Sequence, residues 1–99
     1  MRSGVYGIED KETGRWYVGW SSDIERRWYQ HRHALKRGKH HSTLLQETYD
    51  ERGLDNFNFV ILELLEDKRE GKKVEQKYID FYRSKTTLFN YDNAIKQHG

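Results

Sequence analysis

Gly4-Val5-Tyr6-Gly7-Ile8-Glu9-Asp10-Lys11-Glu12-Thr13-Gly14-Arg15-Trp16-Tyr17-Val18-Gly19-Trp20 is the stretch on which the fold turns. Ser3 to Glu9 reads as a strand, with Val5 and Tyr6 set between small residues. Asp10 to Gly14 is a turn by composition, and Gly14 supplies a positive φ where the turn needs one. Arg15 to Trp20 returns as a second strand, because Trp16, Tyr17 and Val18 are strong β formers. Two such runs joined by a short Gly-containing connection make a β-hairpin. Alternation sends Gly4 and Tyr6 to one face, and Tyr17 and Gly19 likewise. Paired across the hairpin, the two phenols can share a face and converge on one small volume.

A helix is expected next. Ser22 with Glu25 three residues on is a capping-box pattern, and Asp23 suits the positive helix N-terminus. Ile24, Trp28 and Leu35 form its apolar stripe, with Tyr29 and Ala34 beside it, and Gly38 ends it. Ser42 or Thr43 opens a shorter helix through Leu44, Leu45, Thr48 and Tyr49 that stops at Gly53, and Thr43 with Gln46 is a second capping-box match. Phe57, Phe59, Ile61 and Leu62 to Leu65 give a third strand, alternating and then continuously apolar, which suggests a central, well-buried position. Asp67 starts a third helix, with Val74, Tyr78, Phe81 and Tyr82 at helical spacing. The tail from Lys85 to Gly99 reads as irregular, with at most one short turn of helix or strand.

The expected fold is therefore α+β: a small three-stranded, mainly antiparallel sheet flanked by about three helices, one domain over residues 1–99. A mean hydropathy of −1.13 would suit a disordered chain. Three Trp, seven Tyr and four Phe argue otherwise, since large aromatic bodies offset the ordering entropy of a small domain. The absence of Cys removes disulfides and cysteine zinc sites. No apolar run reaches membrane-spanning length and no secretory pattern opens the chain, so no membrane partner and an intracellular, cytoplasmic setting are expected.

A formal net charge of +2 says little, but its distribution says more. Between Arg26 and Gln46 there is no acid, and the stretch holds Arg26, Arg27, Arg32, Lys36, Arg37 and Lys39 with His31, His33, His40 and His41. Such a segment is what a polyanion binds, and it is equally a solvated helix face balanced by acids elsewhere. Arg27 and His31, at i and i+4, share one side of the helix that follows the hairpin and could point at the tyrosine volume. Glu75 lies near the apolar stripe of the third helix, where a carboxylate needs a partner or a metal. Each residue alone has a bland reading: strand tyrosines are usually core, helix arginines usually solvated, exposed histidines usually inert.

Together they resemble the GIY-YIG nuclease family over almost the whole chain. Gly4-Val5-Tyr6 and Tyr17-Val18-Gly19 correspond to the two eponymous tripeptides, with Val for Ile in both. Arg27 corresponds to the arginine of the first helix, Glu75 to the metal-ligand glutamate and Asn90 to the late asparagine. The opening Ser3-Gly4-Val5-Tyr6, the helix start from Asp23 to His31, Gly38-Lys39-His40 and Asn90-Tyr91 look like the phage and intron homing endonuclease branch, which also has His31 and His40 at its site.

The resemblance implies a metal-dependent DNA endonuclease that hydrolyses phosphodiester bonds. One site carboxylate, rather than a cluster, implies a single Mg²⁺ or Mn²⁺ held by Glu75 with waters and a phosphate oxygen. Arg27 would clamp the scissile phosphate through its planar fork. The base is Tyr6 or His31, Tyr6 acting directly or relaying, while Tyr17 orients water or phosphate, His40 acts near the leaving group and Asn90 fixes the site by hydrogen bonds. Double-stranded DNA is the implied partner, contacted through Arg26, Arg27, Arg32, Lys36, Lys39 and His40 by a monomer or a transient pair. The four histidines between positions 31 and 41 raise zinc, which the lack of Cys or carboxylate at tight spacing argues against, and His33 and His41 are left as surface or phosphate-contacting residues. Homing enzymes of this branch carry a further DNA-binding region after the nuclease core, so the implied reading is either a catalytic domain without it or a nuclease that borrows its specificity. The rivals are a non-catalytic nucleic-acid-binding module and a restriction or repair nuclease on the same fold.

Overall fold

In the computed structural model, which describes residues 1–91, β1 (Gly4–Asp10) and β2 (Trp16–Ser21) form the expected hairpin. Val5 pairs with Trp20, Tyr6 with Gly19 and Ile8 with Tyr17. Asp10 closes the turn. Its fully buried carboxylate accepts from the Glu12 N–H at 3.0 Å, from Thr13 Oγ1 at 2.5 Å and from Asn56 Nδ2 at 2.8 Å. Gly14 completes the turn at φ 78.

The third strand, β3 (Phe57–Leu64), pairs antiparallel with β1, so the sheet order is β2-β1-β3 and β1 is the central strand. The expectation of a central β3 is thereby corrected. Its apolar run reflects cover on both faces of the sheet, and cover on the faces says nothing about whether a strand pairs along its outer edge. A register shift opposite Val5 and Tyr6 also interrupts the alternation of β3.

Helices cover both faces. On one lie α1 (Ile24–Lys36) and α2 (Thr43–Arg52), whose Ile24, Trp28, Leu35, Leu44 and Leu45 pack with Tyr6, Ile8, Phe57 and Phe59. On the other lies α3 (Gly71–Arg83), whose Val74, Tyr78, Ile79 and Tyr82 pack with Val5, Trp16, Val18 and Trp20. The stripe of α3 uses Ile79 where the sequence suggested Phe81, which is exposed. Tyr29 of α1 is likewise exposed, and buried His31 occupies the inward face instead.

The caps differ in detail from the sequence patterns. Asp23, not Ser22, is the N-cap of α1 and accepts from the Arg26 N–H at 3.2 Å. Ser42 caps α2 by accepting from the Leu45 N–H at 3.2 Å, which leaves Gln46 outside any capping box with Thr43. Asp67 caps a short 3₁₀ turn at Lys68–Glu70, and α3 begins only at Gly71. Leu88 and Phe89, expected as irregular tail, are both buried, and Leu88 makes a parallel bridge to Trp16. Residues 92–99 of that tail lie outside the described residues.

Gly4 sits where β1 and β3 approach each other most closely. A Cβ there would run into the Glu63 carbonyl oxygen and lie 3.0 Å from Leu64 Cα. Gly4→Ala is expected to lower stability by on the order of 1–3 kcal/mol, read as a lower urea midpoint with unchanged slope.

Candidate active site

The outer edge of β2 is where the site is built. An edge strand leaves every second backbone group without a ladder partner. Here Asn90 takes both groups of Val18, accepting its N–H at 2.8 Å and donating to its carbonyl at 2.6 Å. Two residues along, the Glu75 carboxylate of α3 faces the Trp20 N–H, which favours its ionised form. Leu88 occupies the strand at Trp16. The late asparagine and the helix glutamate, far apart in sequence, thus meet on the same strand edge.

Tyr6 and Tyr17 share the α1–α2 face of the sheet, as alternation predicts, and Gly19 makes room for them. A Cβ on Gly19 would lie 2.5 Å from Tyr6 Oη. Burial raises the pKa of both phenols, that of Tyr17 to about 12, so both rest as neutral hydroxyls. Arg27 opposes the rise at both, and Glu75 adds to it at both. The two tyrosines, the arginine and the glutamate therefore form one electrostatic unit.

Behind Tyr6 runs a buried chain of hydrogen bonds. Tyr6 Oη is 2.7 Å from His31 Nε2, and His31 Nδ1 is 2.7 Å from His40 Nε2. His40 Nδ1 accepts from the Ser42 backbone N–H at 3.0 Å. That last contact assigns the protons of the rest. Since a backbone N–H only donates, His40 Nδ1 carries no proton and the ring must carry it on Nε2. His40 Nε2–H then donates to His31 Nδ1, and His31 Nε2–H donates to Tyr6 Oη. His31 thus presents a proton to the phenol rather than a lone pair. The position of His40 is held by Gln46, which accepts the His40 N–H at 3.0 Å and donates to the Leu35 carbonyl at 2.9 Å.

Electrostatics agree with this assignment. Burial, then neighbouring His40 and His41, lowers the His31 pKa to about 3, and burial with His41 lowers that of His40 to about 4. Both rings are neutral at physiological pH.

Two adjoining cavities open beside this unit. One of about 320 Å³ is lined by Ser21, Asp23, Arg26, Arg27 and Gln30, and one of about 280 Å³ by Arg27, Gln30, His31, His40 and His41. Arg27 and Gln30 form walls of both. The basic segment does not gather here as a whole. Arg32 and Lys36 lie on another side of α1, lining a separate hollow with Tyr29, His33 and Tyr49, and Arg32 stacks over Phe59 at 5.5 Å. At about 100° per residue, Lys36 is half a turn round the helix from Arg27. His40 is buried, and Lys39 is exposed in the loop that follows α1.

The chain matches the GIY-YIG catalytic domain over residues 2–90. The chain belongs to the GIY-YIG family. It is similar to the catalytic domain of the homing endonuclease I-TevI, with a TM-score of 0.81 at 31% identity over 90% of this chain and 97% of that one. A mutant form of the catalytic domain of intron endonuclease I-TevI matches with a TM-score of 0.77 at 32% identity, over 86% and 88% of the two chains. Intron-associated endonuclease 1 of Enterobacteria phage T4 is 38% identical over 53 residues, which are 54% of this chain and 22% of that relative. The chain is thus a GIY-YIG catalytic domain, whose match spans about a fifth of the length of that curated relative.

Among the described residues, Glu75 is the carboxylate whose charge acts on both tyrosines, and no three His, Asp or Glu side chains converge as a ligand set. A half-buried Glu75, whose pKa burial raises, suits a hard cation that keeps most of its other positions for water and substrate oxygens. It does not suit zinc, and the facing nitrogens of His31 and His40 are occupied with each other. Sequence reasoning left His41 as a surface or phosphate-contacting residue, and the structure places it, exposed, 2.8 Å from Tyr17 Oη. Gln30, Ser42 and Gln46 were not singled out for the site.

Because both buried imidazoles have folded pKa values below that of an unfolded histidine, their neutrality is a stability term. Below about pH 6.5 the unfolded chain binds protons that the folded chain refuses, so stability falls as pH drops toward 4. At pH 5, His31 alone is expected to cost on the order of 2 kcal/mol. Tm should fall by roughly 8 °C or more between pH 7.5 and 5, with a shallower fall in His31→Phe. A flat melting profile would mean the imidazoles are solvated.

Proposed function

We propose that this GIY-YIG domain hydrolyses phosphodiester bonds of double-stranded DNA with one divalent cation, Mg²⁺ or Mn²⁺, held at Glu75. The reading is carried by the unit of Tyr6, Tyr17, Arg27 and Glu75 at the open edge of β2 in a GIY-YIG fold. When bound, such a cation supplies neutralisation of phosphoryl charge and acidification of a water.

The chain's own residues do the remaining work. Arg27, on the wall shared by both cavities, places its fork against the scissile phosphate and offsets charge that grows in the transition state. Tyr6 first gives up its own phenol proton to solvent and then, as phenolate, receives the proton of the attacking water. Burial opposes that form, while the Arg27 charge and the His31 Nε2–H favour it. His31 therefore serves as a donor to Tyr6 and not as the base, and His40 and Ser42 keep it in that role. Tyr17 orients the water or a phosphate oxygen through its hydroxyl. Asn90 holds β2, and with it Tyr17, by its two bonds to Val18.

The likeness to I-TevI supports a homing role over restriction or repair. Sequence specificity then comes from a DNA-binding region beyond the nuclease core, and the domain acts as a monomer or pairs transiently on DNA to cut both strands. Its action is placed inside a bacterium or phage-infected host, where that DNA is. Arg26, Arg27 and Lys39 are the cations best placed to meet the backbone, so binding by this domain alone is weak and falls steeply with salt.

Cleavage of supercoiled plasmid at low salt with Mg²⁺ tests the reading. Nicking is expected from the native chain and is expected to be lost in EDTA and in Glu75→Ala. Arg27→Lys should reduce kcat on the order of 100-fold or more, since an ammonium cannot reproduce the fork. Mg²⁺ should raise the Tm of the native chain and leave that of Glu75→Ala unmoved. Cleavage that persists in Glu75→Ala would remove the metal assignment.

A further inference from the structure

His41 lies where the loop between α1 and α2 passes the site, and it is exposed while His31 and His40 are buried. Its ring stacks on His40 with centroids 4.4 Å apart and planes at 25°. Its Nε2 is 2.8 Å from Tyr17 Oη, and it lines the cavity of about 280 Å³ together with Arg27 and Gln30. A permanent cation and a titratable ring thus face the same small space, with a catalytic phenol between the strand and the ring.

On the strength of the nuclease reading, we propose that His41 and Arg27 together hold one phosphate group of the DNA, and that His41 takes up a proton as the phosphate arrives. Stacking on His40 fixes the plane of the ring, and the contact with Tyr17 fixes its rotation, so its edge is aimed before substrate enters. Burial, then the Arg27 charge, disfavours the imidazolium in the free protein. A phosphate between the two cations reverses the balance, because each anionic oxygen favours the charged ring. By linkage, the proton then tightens phosphate binding by the factor with which phosphate tightens the proton.

Among the described residues, the other groups facing His41 keep one charge state across neutral pH, so a change of charge on phosphate binding falls to His41. From β2 comes Tyr17, neutral up to about 12. From α1 come Arg27, always charged, and His31, held neutral down to about 3. From its own loop comes His40, held neutral down to about 4. Glu75 of α3 acts on Tyr17 and is not among the groups that move His41.

The test is duplex binding to the full chain in EDTA, which prevents cleavage, alongside an NMR titration of the His41 ring with and without a short DNA duplex. The expected result is a rise in the His41 pKa on adding duplex and tighter binding at pH 6 than at pH 8, by at most about tenfold per unit of rise. His41→Gln keeps a hydrogen-bonding group for Tyr17 but cannot be charged, and it should lose that pH dependence while melting at the native temperature. Equal pH dependence in His41→Gln, or a ring titration that duplex does not move, would overturn the proposal and leave a merely positioning role. Plasmid nicking that survives in that case keeps the nuclease reading intact. Loss of both duplex binding and nicking in the native chain would remove that reading, and this proposal with it.

Discussion

The unpaired outer edge of β2 is the constraint around which the molecule is organised. A strand of six residues with one partner strand has backbone groups that must be satisfied from elsewhere. The chain meets this with segments distant in sequence: Leu88 at Trp16, Asn90 at Val18 and Glu75 at Trp20. Covering the edge and building the site are one act. A glutamate drawn to a backbone N–H is thereby held near the tyrosines, on an edge that no fourth strand among the described residues obstructs. The large apolar contacts on the two faces then fix how α1 and α3 frame that edge.

Much of this was legible before the structure. The hairpin could be read because β formers, a Gly-containing turn and period-two alternation agree with one another, and alternation alone put Tyr6 and Tyr17 on one face. Arg27 and Glu75 could be named as companions because their order and spacing match a known pattern. The sheet order could not be read, since an apolar run such as Val60 to Leu62 reports burial of the faces and is silent about the edges. The basic run from Arg26 to Lys39 is likewise silent about which of its cations share a side. Clustering in sequence becomes dispersion in space once a helix turns Lys36 away from Arg27.

The histidines show where local reading stops. His31 and His40 look like exposed polar residues in a polar segment, yet they are buried and their facing nitrogens bond each other. The direction of the bonds depends on a loop conformation that no spacing encodes. His41 differs from His40 by one position, and the loop geometry alone decides that one is walled in and the other faces the cavity.

The Ser42 N–H that orients the histidine chain belongs to the main chain. The side chain at that position caps α2 and donates to the Phe89 carbonyl, so it has its own structural duties. The direction of the proton chain, however, is written into the polypeptide itself. Nineteen of the twenty residue types would carry it unchanged. Proline, lacking the hydrogen, would leave His40 with no instruction as to which nitrogen to protonate, and Tyr6 would face an imidazole of undefined tautomer.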